Sequence, residues 1–136
     1  MTFALDPRLA ADTLAVGDLA LSRLLLMNDR RYPWLVLVPR REALREVVDL
    51  ERQARATLIE EIALVSRFVR ALPGVEKINV GALGNLVAQL HVHIVGRAVG
   101  DAAWPGPVWG VGTARRYTPE QAAALIAQAR AALAAD

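Results

Sequence analysis

Apolar and polar positions change period several times along the chain, and each change marks an element. From about Asp49, Leu50, Ala54, Leu58, Ile62, Val65, Val69 and Leu72 recur at three- and four-residue steps, while Arg52, Arg55 and Glu60 fall off that stripe. This is the pattern of a long helix with one buried face, and Pro73-Gly74 stops it. Before it, residues 13–28 read as a hairpin, with Val16-Gly17-Asp18 as turn and residues 19–27 as an apolar strand. The unbroken run Trp34-Leu35-Val36-Leu37-Val38, between Pro33 and Pro39, reads as a short buried strand. After the helix, residues 77–80 form another short strand, a glycine-containing bend spans 81–84, and residues 89–95 alternate strictly enough to read as a strand. Residues 104–112, rich in Trp, Pro and Gly, read as irregular and extended. A last helix starts at Thr118-Pro119, with Gln121 placed to close a capping box, and has Leu125, Ile126, Ala129 and Leu133 on its apolar side. Strands, one long helix, more strands and a short helix predict an α+β fold with a mainly antiparallel sheet.

Composition narrows the class. At 136 residues the chain fits one domain. Apolar residues make up 54% and charged residues 22%, the balance of a globular protein, not a disordered one. No apolar run approaches the roughly 20 residues that span a bilayer. The first eleven residues carry Asp6 and Arg8 and lack the apolar core of a secretory signal, so cytoplasmic residence is expected. There is no cysteine, which removes disulfides, thiolate ligands and cysteine nucleophiles. The net charge is +2, and every basic residue except Lys77 is arginine. The pairs Arg30-Arg31, Arg40-Arg41 and Arg115-Arg116 are scattered and build no aromatic-interleaved stripe, so no nucleic-acid partner is expected.

The only two histidines, His91 and His93, lie in the alternating run. In a strand Gln89, His91 and His93 share one face, and Leu90, Val92 and Ile94 the other. Imidazole is the side chain best poised near neutral pH for nucleophilic or acid–base work. Three readings stand open on spacing alone: a structural pair, a metal site that needs a further carboxylate ligand, and phosphoryl chemistry with one imidazole as nucleophile.

The run Gln89-Leu90-His91-Val92-His93-Ile94-Val95 resembles the histidine-triad signature, His-x-His-x-His followed by two apolar residues, with Gln89 in place of the first histidine. Leu35-Val36-Leu37-Val38-Pro39-Arg40 is similar to that family's strand ending in proline and a basic residue, with the long helix after it. Gly84-Asn85 resembles its polar loop facing the phosphates, and Trp104-Pro105-Gly106 a tail seen in some branches. The resemblance implies a histidine-triad-like fold over one domain, residues 1–136. It also implies a nucleotide substrate, a hydrolase or transferase acting on dinucleoside polyphosphates or adenylyl amides, and a homodimer, with no metal or cofactor in the chemical step. Carried over by position, His91 is the nucleophile that forms a nucleotidyl-histidine intermediate, and His93 donates to the phosphate oxygens. Asn85 and Gln89 become candidate phosphate-side amides, and Asn28 a candidate ribose contact.

Two positions depart from the pattern. Gln89 keeps hydrogen bonding but carries no proton charge. Trp34 stands where many relatives have a histidine; it brings one donor and a large apolar face that could stack on a base or fill space beneath the sheet. These departures motivate an alternative reading, a nucleotide-binding module with little or no catalysis.

Overall fold

The computed structural model describes residues 2–135. Five strands, β1 (Thr13–Asp18), β2 (Ser22–Met27), β3 (Trp34–Pro39), β4 (Lys77–Gly81) and β5 (Val92–Arg97), form one antiparallel sheet in the order β1-β2-β3-β5-β4. A short helix α1 (Pro7–Asp12) precedes the sheet, the long helix α2 (Arg52–Arg70) connects β3 to β4, and α3 (Pro119–Leu133) closes the chain. This is the α+β architecture the pattern predicts.

The sheet is apolar on both sides because β3 and β5 are buried along their whole length. Leu24, Leu26, Leu35, Leu37, Val92 and Ile94 meet Ala54, Leu58, Val65 and Val69 of α2 and Ala129 and Leu133 of α3. On the opposite face Leu25, Trp34, Val36, Val38 and Val95 pack with Leu9 of α1, Tyr32 and Val108. Helices α2 and α3 thus cover one face, and the N-terminal segment with α1 and the long connection before α3 cover the other, which carries the histidines.

Three local features differ from the sequence pattern. Gly17 lies inside β1, where the register to β2 slips between Ala15 and Gly17, so it makes a bulge and the chain reverses at residues 19–21 instead. The strand expected over residues 89–95 starts only at Val92. The β3–β5 ladder ends at Leu37↔Val92, and before it Leu90 N–H bonds to the Leu44 carbonyl. Helix α1 was not foreseen, although Asp6-Pro7 is a start signal: the Asp6 carboxylate accepts from the Arg8 amide.

Glu61 interrupts the apolar face of α2 and is 5% exposed. Its carboxylate accepts from the Leu21 amide at 2.7 Å and the Ser22 amide at 3.4 Å, so it satisfies the buried turn between β1 and β2. Glu61→Ala is expected to lower unfolding free energy by about 2 kcal/mol, since buried donors lose a charged acceptor. Glu61→Gln, which keeps an acceptor, should lose about half as much or less. Urea denaturation of the two variants beside the parent checks this.

Candidate functional site

Strand register brings the site together. In the β3–β5 ladder His93 lies opposite Val36, and Trp34 opposite Val95. Trp34 and His93 are therefore diagonal neighbours on one sheet face, within reach for a large side chain. The indole Nε1 of Trp34 lies 3.0 Å from His93 Nδ1. On the other flank of β5, His93 lies opposite Gly81 of β4. A Cβ at Gly81 would stand 3.0 Å from the Trp109 ring, so a glycine there leaves room for Trp109 to lie against His93, centroids 5.4 Å apart. His91, just before β5, sets its ring 4.8 Å from that of His93.

The hydrogen-bond partners decide the tautomers. An indole N–H only donates, so His93 Nδ1 must accept, and the proton of the neutral ring sits on Nε2. The Gln89 carbonyl oxygen only accepts, and His91 Nδ1 lies 2.7 Å from it, so His91 carries its proton on Nδ1 and keeps a lone pair on Nε2. The two rings thus present opposite faces of imidazole chemistry, one an Nε2 base and the other an Nε2–H donor. Burial, with a smaller contribution from His91, holds the pKa of His93 down to about 3; an environment that solvates the cation poorly favours the neutral ring.

Both histidines line a cleft of about 690 Å³. Of the residues singled out in the sequence, Asn28, Trp34 and Asn85 also line it. Asn28 Oδ1 is occupied by the Tyr117 amide at 2.9 Å, which leaves its amide nitrogen for the cleft. Asn85 lies on the exposed loop before β5. Gln89 is placed differently: its Oε1 accepts from the Asp6 amide and its Nε2 donates to the Ala4 carbonyl, both at 2.8 Å. Its side chain thus anchors the segment before α1, and its backbone carbonyl holds His91. Trp34 lies beneath His93 within the sheet and is 7% exposed.

Sequence reasoning gave no role to Arg31, Arg116 or Asp29, and for the stretch Trp104 to Trp109 left open whether it closes over the site or reaches a neighbouring subunit. Of that stretch Trp109 reaches His93, whereas Trp104 lies under the Arg97 guanidinium. Arg31 and Arg116 stand on the cleft wall, although their pairs read as dispersed surface charge. Asp29 is 2% exposed. Burial alone would raise its pKa, but the Arg31 side chain and the Arg31 and Arg115 amides outweigh that and hold it below the ordinary value. With Arg31 also donating to the Val111 carbonyl, Asp29 and Arg31 latch the long connection before α3 onto the turn after β2. Only the doublet spacing Asp29-x-Arg31 hinted at this. Among the described residues no three His, Cys, Asp or Glu side chains gather as a metal site, and no helix is long and apolar enough to cross a membrane.

Similarity to known proteins agrees with this geometry. Three solved structures align over nearly the whole chain. A histidine triad protein from Sinorhizobium meliloti is 46% identical, with 96% of this chain and 97% of that one covered and a TM-score of 0.93. Another from Bradyrhizobium japonicum is 44% identical, covering 98% and 99%, with a TM-score of 0.94. A third from Marinobacter aquaeolei is also 44% identical, covering 98% of each, with a TM-score of 0.95. No curated protein matches the chain. The family model of the HIT domain matches residues 8–100, a span that takes in β1 to β5, both histidines and Trp34, and the chain belongs to the histidine-triad family.

Proposed function

We propose that the protein is a nucleotidyl hydrolase or transferase in which His91 attacks the α-phosphorus of a nucleoside phosphate derivative. The observation that carries this is the fixed tautomer of His91: its Nδ1–H is held by the Gln89 carbonyl, and its Nε2 lone pair belongs to a side chain lining the cleft. In the first step the Nε2 pair forms a P–N bond while the bond from phosphorus to the leaving group breaks, its electrons departing with that group. The positive charge gained by the ring is spread toward Nδ1–H and the carbonyl. Water then attacks the same phosphorus, the P–N pair returns to Nε2, and the proton of the water passes to solvent. The products are a nucleoside monophosphate and the released group; an acceptor other than water would make the reaction a transfer.

His93 acts as a fixed Nε2–H donor to a phosphoryl oxygen that gains charge in the transition state, a preorganised contribution of the kind that dominates such reactions. Asn85 and Arg116, which both line the cleft, would supply an amide and a guanidinium to the phosphates. Asn28, which lines the cleft with its Oδ1 already taken by the Tyr117 amide, is the residue whose amide nitrogen would contact the ribose. The homodimer implied by the family has an open edge available in β4, where Val80 is half exposed and one side of the strand is unpaired among the described residues.

The p-nitrophenyl ester of AMP is a direct probe. His91→Ala and His91→Gly should reduce its turnover by about 1,000-fold or more, as loss of a nucleophile does. The parent should give a mass increment of one AMP on His91 when quenched at alkaline pH. Unchanged turnover in both variants, or binding of AMP with no turnover of the ester, would overturn the reading.

The neutral His93 this role requires also leaves a stability signature. An unfolded histidine takes up a proton near pH 6.5, while folded His93 resists until about pH 3. Between those values the unfolded state binds more protons, so His93 makes stability fall as pH falls, by up to about 1.4 kcal/mol per pH unit. Urea unfolding at pH 7, 6 and 5 should show this decline, and His93→Gln should remove the part due to His93.

A further inference from the structure

We infer that Trp34 sets which bonds this site can break, restricting it to leaving groups that depart as stable anions, such as phosphates and acidic phenols, and excluding amines. The inference rests on the nucleotidyl-transfer reading above and narrows its substrate class.

It follows from where protons can go. An amine cannot depart from phosphorus as an amide anion; its nitrogen must receive a proton as the P–N bond to it breaks. A bridging phosphate oxygen needs none, because the group leaves with the bond's electrons as a phosphate already stable near neutral pH. The question is therefore whether the site holds an acid that can hand over a proton and be resupplied.

The walls of the cleft hold none. His91 has its single proton on Nδ1, directed at the Gln89 carbonyl at 2.7 Å and away from the attacking nitrogen. His93 offers Nε2–H, but a neutral imidazole that gives up this proton becomes an anion unless a second proton reaches Nδ1 at the same time. The Nδ1 site is closed: it faces the indole N–H of Trp34 at 3.0 Å, a donor that makes the hydrogen bond without releasing its proton. Trp34 and His93 are 7% and 5% exposed, and Trp109 packs edge-on against both rings, its centroid 5.4 Å from His93 and 6.4 Å from Trp34, so little solvent reaches that nitrogen. The remaining charged groups lining the cleft are Asp12, Asp29, Arg31 and Arg116. Asp29 is consumed by Arg31 and the Arg115 amide, a guanidinium does not act as an acid near neutrality, and Asp12 is exposed on the rim.

A histidine at position 34 would change this. Its imidazole could bond His93 Nδ1 and also carry a proton to it, so that His93 could protonate a leaving nitrogen through Nε2 and be refilled behind. Trp34 terminates that chain at its first link. His93 is left to stabilise charge, without supplying protons.

The test compares three AMP derivatives in the purified protein at pH 7.5: the p-nitrophenyl ester, diadenosine tetraphosphate and adenosine 5′-phosphoramidate. General-acid assistance is worth roughly 10²–10⁴-fold, so kcat/KM for the phosphoramidate should fall at least about 100-fold below the other two. Trp34→His should shrink that gap by about tenfold or more. Trp34→Phe, which keeps a ring but supplies no proton path, should lower all three rates and leave the gap in place. Turnover of all three within tenfold in the parent overturns this inference alone. So does a wide gap that Trp34→His leaves unchanged while Trp34→Phe narrows it. Turnover of none of the three overturns the proposed activity and this inference with it.

Discussion

The indole N–H of Trp34 donates to His93 Nδ1 and can do nothing else, and the arrangement of the site depends on that one-way bond. It places the His93 proton on Nε2, toward the cleft, while burial, with a smaller contribution from His91, holds the ring's pKa down to about 3. The neighbouring His91 is set the opposite way by an equally one-sided partner, the Gln89 carbonyl. Two identical side chains 4.8 Å apart therefore differ in which nitrogen carries the proton, and the difference is imposed by a pure donor under one and a pure acceptor beside the other.

The rest of the fold can be understood as what holds these partners still. Trp34 is fixed by the β3–β5 register, and β3 is central in the sheet with helices on one face and Tyr32, Leu9 and Val108 on the other. The Gln89 carbonyl is outside the sheet, where the ladder has ended, and is held instead by the side chain of the same residue through two hydrogen bonds to the segment before α1. Gln89 thus acts on His91 through its backbone carbonyl, while its side chain anchors the neighbouring segment. Trp109 arrives on a long irregular connection that is tied down by Asp29, Arg31 and Asn28; a connection of that kind needs such ties to keep one conformation.

The fold was largely legible in the sequence. The stripe from Leu50 to Leu72 became α2 because period and length agree only with a helix, and Thr118-Pro119 marked the start of α3 through local capping chemistry that needs no tertiary context. The reading fell short where a local signal competed with the sheet. Gly17 looked like a turn but a bulge suited the register better, and the alternation from Gln89 onward persisted after the strand's pairing partner had run out. At the site, the two histidines and the cleft position of Asn28, Trp34 and Asn85 followed from the family resemblance. The bond between Trp34 and His93 did not, because it joins residues 59 apart and exists only once the register of β3 on β5 is set. The contact of Trp109 with His93 was hidden for the same reason, since only the folded connection decides which residue of the Trp104–Trp109 stretch arrives at the site.

Opposite tautomers of two adjacent histidines are the central claim, and long-range ¹H–¹⁵N correlation spectra of the ¹⁵N-labelled protein at neutral pH observe them directly. The account predicts a protonated Nδ1 and bare Nε2 for His91, and a bare Nδ1 and protonated Nε2 for His93, with the Trp34 indole proton shifted by its hydrogen bond. A proton on His93 Nδ1, or nitrogen shifts averaged between tautomers for either ring, would contradict it.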